Sequence, residues 1–198
     1  MVQIQKNSYH HGDLRESLLN AAEAALAELP VEQVSLREIA RRAGVSHAAP
    51  RHHFATVGQL YGELVGRAFE RFVAALDEAA GRSFDQSPAA RLQAMARAYL
   101  RFAEGNRATY GLMFGKRAGV ERTPRFMTAA FVAWSQLERE VTALVGPQRA
   151  AYGSLHVWSS CHGLAMLLLD SATPPNIDPD HAVEAVTRMV LAGLQSDT

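Results

Sequence analysis

Apolar side chains recur at intervals of three and four residues along most of the chain, and this spacing predicts helices. The first such stripe lies between Asp13 and Leu29, and Pro30 ends it. The same spacing predicts further helices at about residues 57–79, 88–104, 107–115, 122–145, 147–171 and 179–195. No segment alternates for long enough to indicate a sheet, so we expect an all-α fold.

A helix start and a helix stop lie close together in the segment SLREIARRAGVSHAAPRHHF, residues 35–54. Ser35 is expected to cap a helix through a capping box, in which its hydroxyl accepts from the Glu38 amide and the Glu38 side chain reaches back. Gly44 is expected to end this helix, because a glycine adopts the left-handed conformation of a tight exit without a Cβ clash.

The chain starts a second helix directly after this stop. Ser46 is the expected N-cap of a short helix from His47 to about His53, which Pro50 shortens or opens because it lacks an amide hydrogen. Two helices joined by a tight turn are typical of a helix-turn-helix.

The side chains of the second helix suit duplex DNA. The first turn of such a helix reads base edges in the major groove, and flanking basic groups hold phosphates. Small alanines allow close approach, and a histidine can donate or accept at a purine edge. The expected base-reading residues are His47, Ala48 and Ala49, and the expected phosphate partners are Arg51, His52 and His53. An ordinary helical hairpin with a solvated basic face is the alternative.

Charge supports DNA binding only locally. The chain has 20 basic and 20 acidic residues and no net charge. Within residues 37–53, four arginines and three histidines face a single acid, Glu38, so the positive charge is concentrated at the proposed binding edge.

This block and its flanks resemble the N-terminal domain of the TetR family of bacterial transcriptional regulators. The resemblance covers about residues 9–64, through the segments YHHGDLRESLLNAA and SLREIARRAGVS, the pair His53–Phe54 and Leu60. It implies that Arg37 contacts the operator and that His53 contacts phosphate. The DNA-binding set that we expect is Ser35, Arg37, Ser46, His47, Ala48, Ala49, Arg51, His52 and His53.

The chain departs from the family pattern at two positions. Arg51 stands where a tyrosine is usual, and an arginine can replace a tyrosine–phosphate bond with a charge-assisted one. Val57 stands where a lysine is frequent at the start of the next helix, and a valine cannot contact phosphate.

The sequence predicts three parts. Residues 1–56 form the helix-turn-helix domain, residues 57–80 form a connecting helix, and residues 81–198 form a helical ligand-binding and dimerisation domain. The boundary between the last two lies at the polar link GRSFDQS, residues 81–87.

Large, flexible and aromatic side chains are concentrated in the second half of the chain, as in an apolar cavity between helices. Plain core packing would use the same residue types. The candidate pocket residues are Phe102, Tyr110, Met113, Phe114, Trp134, Trp158, His162 and Met166.

The segment at residues 157–170 is apolar nearly all round, which indicates burial on both sides. Its WSSCHG sequence resembles the Trp-His-Gly signature of one TetR C-terminal subfamily. That resemblance implies a two-fold four-helix interface built from the last two helices. The candidate interface residues are Leu164, Leu168, Val186, Met189, Val190 and Gly193.

These features together favour a ligand-responsive regulator, and a repressor over an activator. A homodimer is expected to bind double-stranded DNA at a pseudo-palindromic operator, and a small apolar or aromatic effector is expected to release it.

The remaining patterns favour neither an enzyme nor a membrane protein. No signal peptide or membrane-spanning run is visible, and the single cysteine fits a reducing compartment, so we expect a cytoplasmic protein. We expect no metal and no cofactor, because the histidines follow no ligand pattern. Cys161 and His162 point about 100° apart on a helix, which does not favour catalysis. A helical interaction module without DNA binding, or a thiol redox sensor using Cys161, are the alternatives.

Overall fold

The computed structural model describes residues 11–83, 86–115 and 119–196, and this part of the chain contains eight α-helices and no strand. The all-α prediction is therefore confirmed. The helices are α1 (His11–Glu28), α2 (Leu36–Arg42), α3 (Val57–Gly81), α4 (Pro88–Gly105), α5 (Arg107–Phe114), α6 (Pro124–Val145), α7 (Pro147–Leu169) and α8 (Pro179–Ser196).

Caps and prolines determine where the later helices begin. The hydroxyls of Ser87 and Thr123 accept hydrogen bonds from amides in the first turns of α4 and α6, both at 3.3 Å. Helices α4, α6, α7 and α8 each begin at a proline, which loses no intrahelical bond at that position. These signals are visible in the sequence, and the predicted helices end within about two residues of the observed ones.

The second helix of the helix-turn-helix is shorter than expected. In place of a helix from His47 to His53, the structure has a 3₁₀ turn at Ala49–His52. Pro50 has no amide hydrogen to donate to the Ser46 carbonyl, so an α-helical turn cannot form there. The amides of Arg51 and His53 instead bond three residues back, at 3.1 and 3.0 Å.

Helix α3 is the centre of the fold, because it packs against α1, α4, α5 and α6. Its buried side chains belong to one core that continues from α1 through α8. Helices α7 and α8 pack against each other at the far end. The division at residues 56 and 80 remains a prediction, and Phe84 and Asp85 of the expected link lie outside the described residues. In the part of the chain that is described, no helix is long and apolar enough to cross a bilayer.

Three glycines let the chain before α6 lie directly on α3. Gly58, Gly62 and Gly66 are spaced by four residues, so they share one face of α3. A Cβ at Gly62 would overlap the Glu121 carbonyl oxygen, and a Cβ at Gly66 would lie 2.7 Å from Arg125 Cγ. We call this contact between α3 and residues 119–126 the glycine seam.

Hydrogen bonds hold the glycine seam along its length. The Glu121 amide donates to the Gly58 carbonyl at 3.1 Å, and the Thr56 hydroxyl donates to the Glu121 carboxylate. At the other end, the Arg125 guanidinium donates two bonds to the Glu70 carboxylate, at 2.6 and 2.8 Å. The seam therefore joins the first half of α3 to the start of α6.

We expect Gly62→Ala to lower the free energy of unfolding by about 1–3 kcal/mol, because backbone must move to admit the methyl group. Gly111→Ala is the matched control, since Gly111 lies inside α5 with no atom within 4 Å of an added Cβ. Alanine there should stabilise by about 0.5–1 kcal/mol. Urea unfolding followed by circular dichroism measures both, and equal effects of the two substitutions would contradict the seam.

Candidate nucleic-acid interface and apolar cavity

The turn after α2 presents small and basic side chains on a buried support. The exposed side chains are Ser46, His47, Ala48, Arg51 and His52, whereas Ala49 and His53 are half-buried. Pro50 and Phe54 are almost fully buried and fix the turn from behind. The Phe54 amide also bonds to the Pro50 carbonyl at 2.8 Å.

The segment before α2 is fixed by a buried tyrosine of α3. The Tyr61 hydroxyl lies 2.7 Å from the Val34 carbonyl oxygen and 3.1 Å from that of Val31. Ser35 follows and caps α2, since its hydroxyl accepts from the Glu38 amide at 3.2 Å. Tyr61 thus links the position of α2 to α3.

The second half of the predicted capping box is wrong. The Glu38 carboxylate does not bond back to Ser35 but accepts from Arg41 at 2.6 and 2.8 Å and from Arg42 at 2.8 Å. Bonds between two ions are stronger than a bond to a neutral amide, so the arginines take this carboxylate. They lower the pKa of Glu38 to about 2, chiefly through the Arg41 bond.

These ion pairs reduce the positive charge of the face. Arg42 also pairs with Glu28 at 2.9 Å. Two of the four arginines within residues 37–53, Arg41 and Arg42, are therefore neutralised within the protein. Arg37 and Arg51 are exposed and make no ion pair with any residue that the structure describes. The available charge therefore lies at the start of α2 and on the 3₁₀ turn.

Val57 has a structural role at the start of α3. It follows the cap Thr56, whose hydroxyl accepts from the Gln59 amide at 3.0 Å. Its side chain is half-buried and packs against the core. The position that departs from the family pattern therefore holds α3 in place.

An apolar cavity of about 240 Å³ lies among α3, α4, α5, α6 and α7. None of its lining residues, within the described part of the chain, carries a charged side chain. The lining residues are Phe69, Phe72, Leu76, Leu92, Met95, Ala96, Tyr99, Met113, Phe114, Ala130, Ala133, Trp134, Leu137, Val157, Trp158 and Cys161.

Half of the predicted pocket residues line this cavity, namely Met113, Phe114, Trp134 and Trp158. Phe102 packs edge-on against Phe72 with 5.2 Å between ring centroids, which places it behind the lining. Met166 is 38% exposed on the outer side of α7. Tyr110 and His162 do not line the cavity either.

The sequence pattern did not identify the α3 and α4 side of the cavity. Phe69, Phe72 and Tyr99 belong to helical stripes that also fit plain packing. The available signal was the width of the apolar stripe on α3, which indicates contact with two neighbours.

Three polar groups behind the lining bond to one another. The Tyr110 hydroxyl lies 2.8 Å from His162 Nδ1, and the Tyr99 hydroxyl lies 2.9 Å from the Tyr110 hydroxyl and 3.2 Å from His162 Nδ1. Burial raises the pKa of Tyr99, and it raises the pKa of Tyr110 to about 12. Burial also lowers the pKa of His162. All three groups are therefore uncharged at neutral pH.

Cys161 is buried at the cavity wall, and this burial raises the pKa of its thiol to about 11. The thiol thus stays protonated at neutral pH, which does not favour the redox-sensor alternative. Within the described residues, no three His, Cys, Asp or Glu side chains are grouped so that they could hold a metal ion.

The candidate interface residues differ in accessibility. Leu164 and Val190 are mostly buried within the chain and leave little surface for a partner, whereas Met189 is 72% exposed and Gly193 is also exposed. Leu168 and Val186 are half-buried. Further apolar side chains exposed on α7, which the prediction omitted, are Tyr152, Leu155, Met166 and Leu167.

Two family descriptions match the chain. Residues 18–64 match "Bacterial regulatory proteins, tetR family", and residues 92–190 match "Tetracyclin repressor-like, C-terminal domain". The second match contains Trp158, His162 and Gly163. No curated protein sequence matches the chain.

Solved structures resemble this fold over nearly its whole length. A protein of unknown function from Rhodococcus sp. RHA1 is 33% identical, covers 96% of this chain and 100% of its own, and has a TM-score of 0.83. A possible TetR family transcriptional regulator from Streptomyces coelicolor A3(2) is 18% identical, with coverages of 93% and 100% and a TM-score of 0.70. The fatty acid degradation regulator FadR from Bacillus halodurans is 13% identical, with coverages of 92% and 96% and a TM-score of 0.71. The first match includes the helix-turn-helix, the second includes the parts of α4, α5, α6 and α7 that line the cavity, and the chain belongs to the TetR family of bacterial transcriptional regulators.

Proposed function

We propose that the protein is a repressor that binds a pseudo-palindromic operator as a homodimer and leaves it when a small apolar or aromatic effector occupies the cavity. The observation that carries this proposal is the exposed turn at residues 46–52, with its small and basic side chains held on buried Pro50. Binding at a promoter would exclude the transcription machinery, which favours repression over activation.

The operator contacts follow from exposure. His47 and Ala48 read base edges in the major groove, because they are exposed at the start of the turn. Ala49 is half-buried and contributes mainly close packing. Arg37, Arg51 and His52 hold phosphates, and His53 lies beside them. Ser35 positions the start of α2, and Ser46 positions the start of the turn.

The homodimer forms through the outer faces of α7 and α8. Each helix exposes one stripe with apolar members, including Leu155 and Leu167 on α7 and Met189 and Gly193 on α8. Exposed apolar patches of this kind mark interaction sites. Two-fold pairing would set two recognition turns about 34–36 Å apart, to meet successive major-groove turns.

The glycine seam provides the route from the cavity to the DNA. Helix α6 contributes Ala130, Ala133, Trp134 and Leu137 to the cavity, and its first turn lies in the seam against α3. An effector that displaces α6 would therefore move the N-terminal half of α3, which directly follows the recognition turn. The effector and the operator then bind best to different positions of α6 and the N-terminal half of α3, which move together.

The first test concerns the unpaired arginines. We expect Arg37→Ala and Arg51→Ala each to weaken binding to an operator selected from random-sequence duplex DNA by about 1–3 kcal/mol, with a salt slope shallower by about 1 if the lost contact is a phosphate. Fluorescence anisotropy at several salt concentrations measures both quantities.

Arg101→Ala is the matched control, because Arg101 is exposed on α4 and should not alter DNA affinity. Sedimentation velocity should show an unchanged dimer for all three variants. Unchanged DNA affinity for both Arg37→Ala and Arg51→Ala would refute the DNA-binding assignment and favour a helical interaction module.

The second test concerns Glu38. We expect Glu38→Gln to free Arg41, while Arg42 keeps its pair with Glu28, and to raise affinity for duplex DNA by roughly tenfold at low salt, which corresponds to about 1.4 kcal/mol. The salt dependence should become steeper by about 1. Since the pKa of Glu38 is about 2, the wild-type affinity should show no step from this group between pH 5 and pH 8. A weaker complex for Glu38→Gln would contradict the neutralising role.

The third test concerns the seam. Arg125→Met removes the two bonds to Glu70, and we expect the effector to bind the cavity as before but to release the operator at about 3- to 30-fold higher concentration, within the usual range of 0.5–2 kcal/mol for such coupling. Arg82→Met, which removes the exposed Arg82–Glu78 pair near the end of α3, should leave release unchanged. If both variants release like the wild type, coupling does not pass through the seam.

A further inference from the structure

We infer that the effector is an uncharged molecule of about two fused rings, at least one of them aromatic, and that organic carboxylates and ammonium ions are poor effectors. This inference rests on the proposed function for its consequence at the operator. Binding to the cavity can be measured without DNA, so the two can fail separately.

The lining offers nothing to balance a charge. The side chains on the cavity wall, as far as the structure describes it, are aliphatic or aromatic apart from one tyrosine hydroxyl, two indole N–H groups and one thiol. Moving an ion from water into such a site costs far more than moving a neutral ring, unless a counter-ion awaits it.

The buried ions outside the lining are already paired. Glu140 accepts from the Arg91 guanidinium at 2.8 Å, and Glu63 pairs with Arg15. Both glutamates are buried, and neither lines the cavity. Among the residues that the structure describes, a cationic ligand therefore finds no free carboxylate on the wall, and a carboxylate ligand finds no free guanidinium there.

The one hydroxyl among the described lining residues already has two polar neighbours. Tyr99 contributes to the wall, but its hydroxyl bonds to Tyr110 and His162, neither of which lines the cavity. The Tyr110 hydroxyl lies 2.8 Å from His162 Nδ1, so the two hydroxyl protons can be satisfied within this group. A ligand acceptor would have to compete with these neighbours for the single Tyr99 proton, whereas a hydrocarbon ring leaves the contacts intact.

Size and wall chemistry indicate fused rings. The volume of about 240 Å³ is roughly half as large again as the ~150 Å³ cavity that holds benzene in another protein. Six aromatic side chains form the wall, and Phe72 and Tyr99 meet edge to face at 5.1 Å. A planar ring can add to such edge-to-face contacts. The alanines Ala96, Ala130 and Ala133 keep the space open.

The chain contains its own reporter of occupancy, because its two tryptophans, Trp134 and Trp158, both line the cavity. Their rings lie edge to face, with centroids 6.2 Å apart. A bound ligand must therefore contact or displace a tryptophan. Intrinsic fluorescence of the full-length protein can be excited where tryptophan absorbs and a simple benzene ring does not.

The test compares three probes of one shape: tetralin, its 2-carboxylate and its 2-ammonium derivative. We expect tetralin to give a saturable fluorescence change. Each of the two ions should bind at least about 100-fold more weakly than tetralin, a difference of about 2.7 kcal/mol. Absence of tetralin binding, or equal or tighter binding of either ion, would overturn the inference.

A filled cavity provides the second arm. Ala133→Leu should abolish the tetralin response, and Ala143→Leu, exposed on the same helix, should leave it unchanged. If Ala133→Leu unfolds, Ala130→Leu at a half-buried lining position replaces it. A full response in a folded lining variant would overturn the assignment to this cavity.

Operator release is then measured with the same three probes. Tetralin binding without release would refute the effector role proposed above and leave the ligand class intact. Release by the carboxylate at lower concentration than by tetralin would overturn the ligand class and leave the regulator intact.

Discussion

Direct contact between backbones along α3 is the constraint on which the rest of the arrangement depends. Where Gly58 and Gly62 face residues 119–121, no side chain separates the two segments, so their distance is fixed by van der Waals contact and by the bond from the Glu121 amide to the Gly58 carbonyl. The opposite requirement applies further along the same helix, where Phe69 and Phe72 form part of the cavity wall. One helix thus combines a tight contact with an adjacent gap.

Charge is distributed under a second constraint, the zero net charge of the chain. Most arginines of the first three helices are paired, as in Arg15–Glu63 and Arg71–Glu23. Exposed pairs contribute little to stability, but they remove charge from the surface. The positive field of the recognition face therefore comes from the few arginines left without a carboxylate, and the sequence count alone overstates it.

Much of the architecture could be predicted because it depends on local chemistry. Caps such as Ser87 and prolines at helix starts act over one turn, so the sequence predicts helix ends well.

The cavity could be predicted only in part, because periodicity indicates which face of a helix is apolar and not how deep a residue lies. Tyr110 and Trp158 look alike in the pattern, yet only Trp158 reaches the cavity. For the same reason periodicity does not show that Leu164, a predicted interface residue, is mostly buried by its own chain. The three glycines of α3 did carry a visible signal in their spacing of four, which the apolar pattern obscured.

In the recognition turn, the residues that support the backbone differ from those whose side chains are exposed. Pro50 and Phe54 are buried and determine the path of the backbone, whereas the side chains at positions 47, 48 and 51 are exposed and contribute nothing to the core. Exchanges at these three positions therefore carry little penalty in folding. If the turn reads the operator as proposed, a few single substitutions would change the operator preference without a prior gain in stability elsewhere, and this would make the turn a favourable starting point for evolving regulators with new targets.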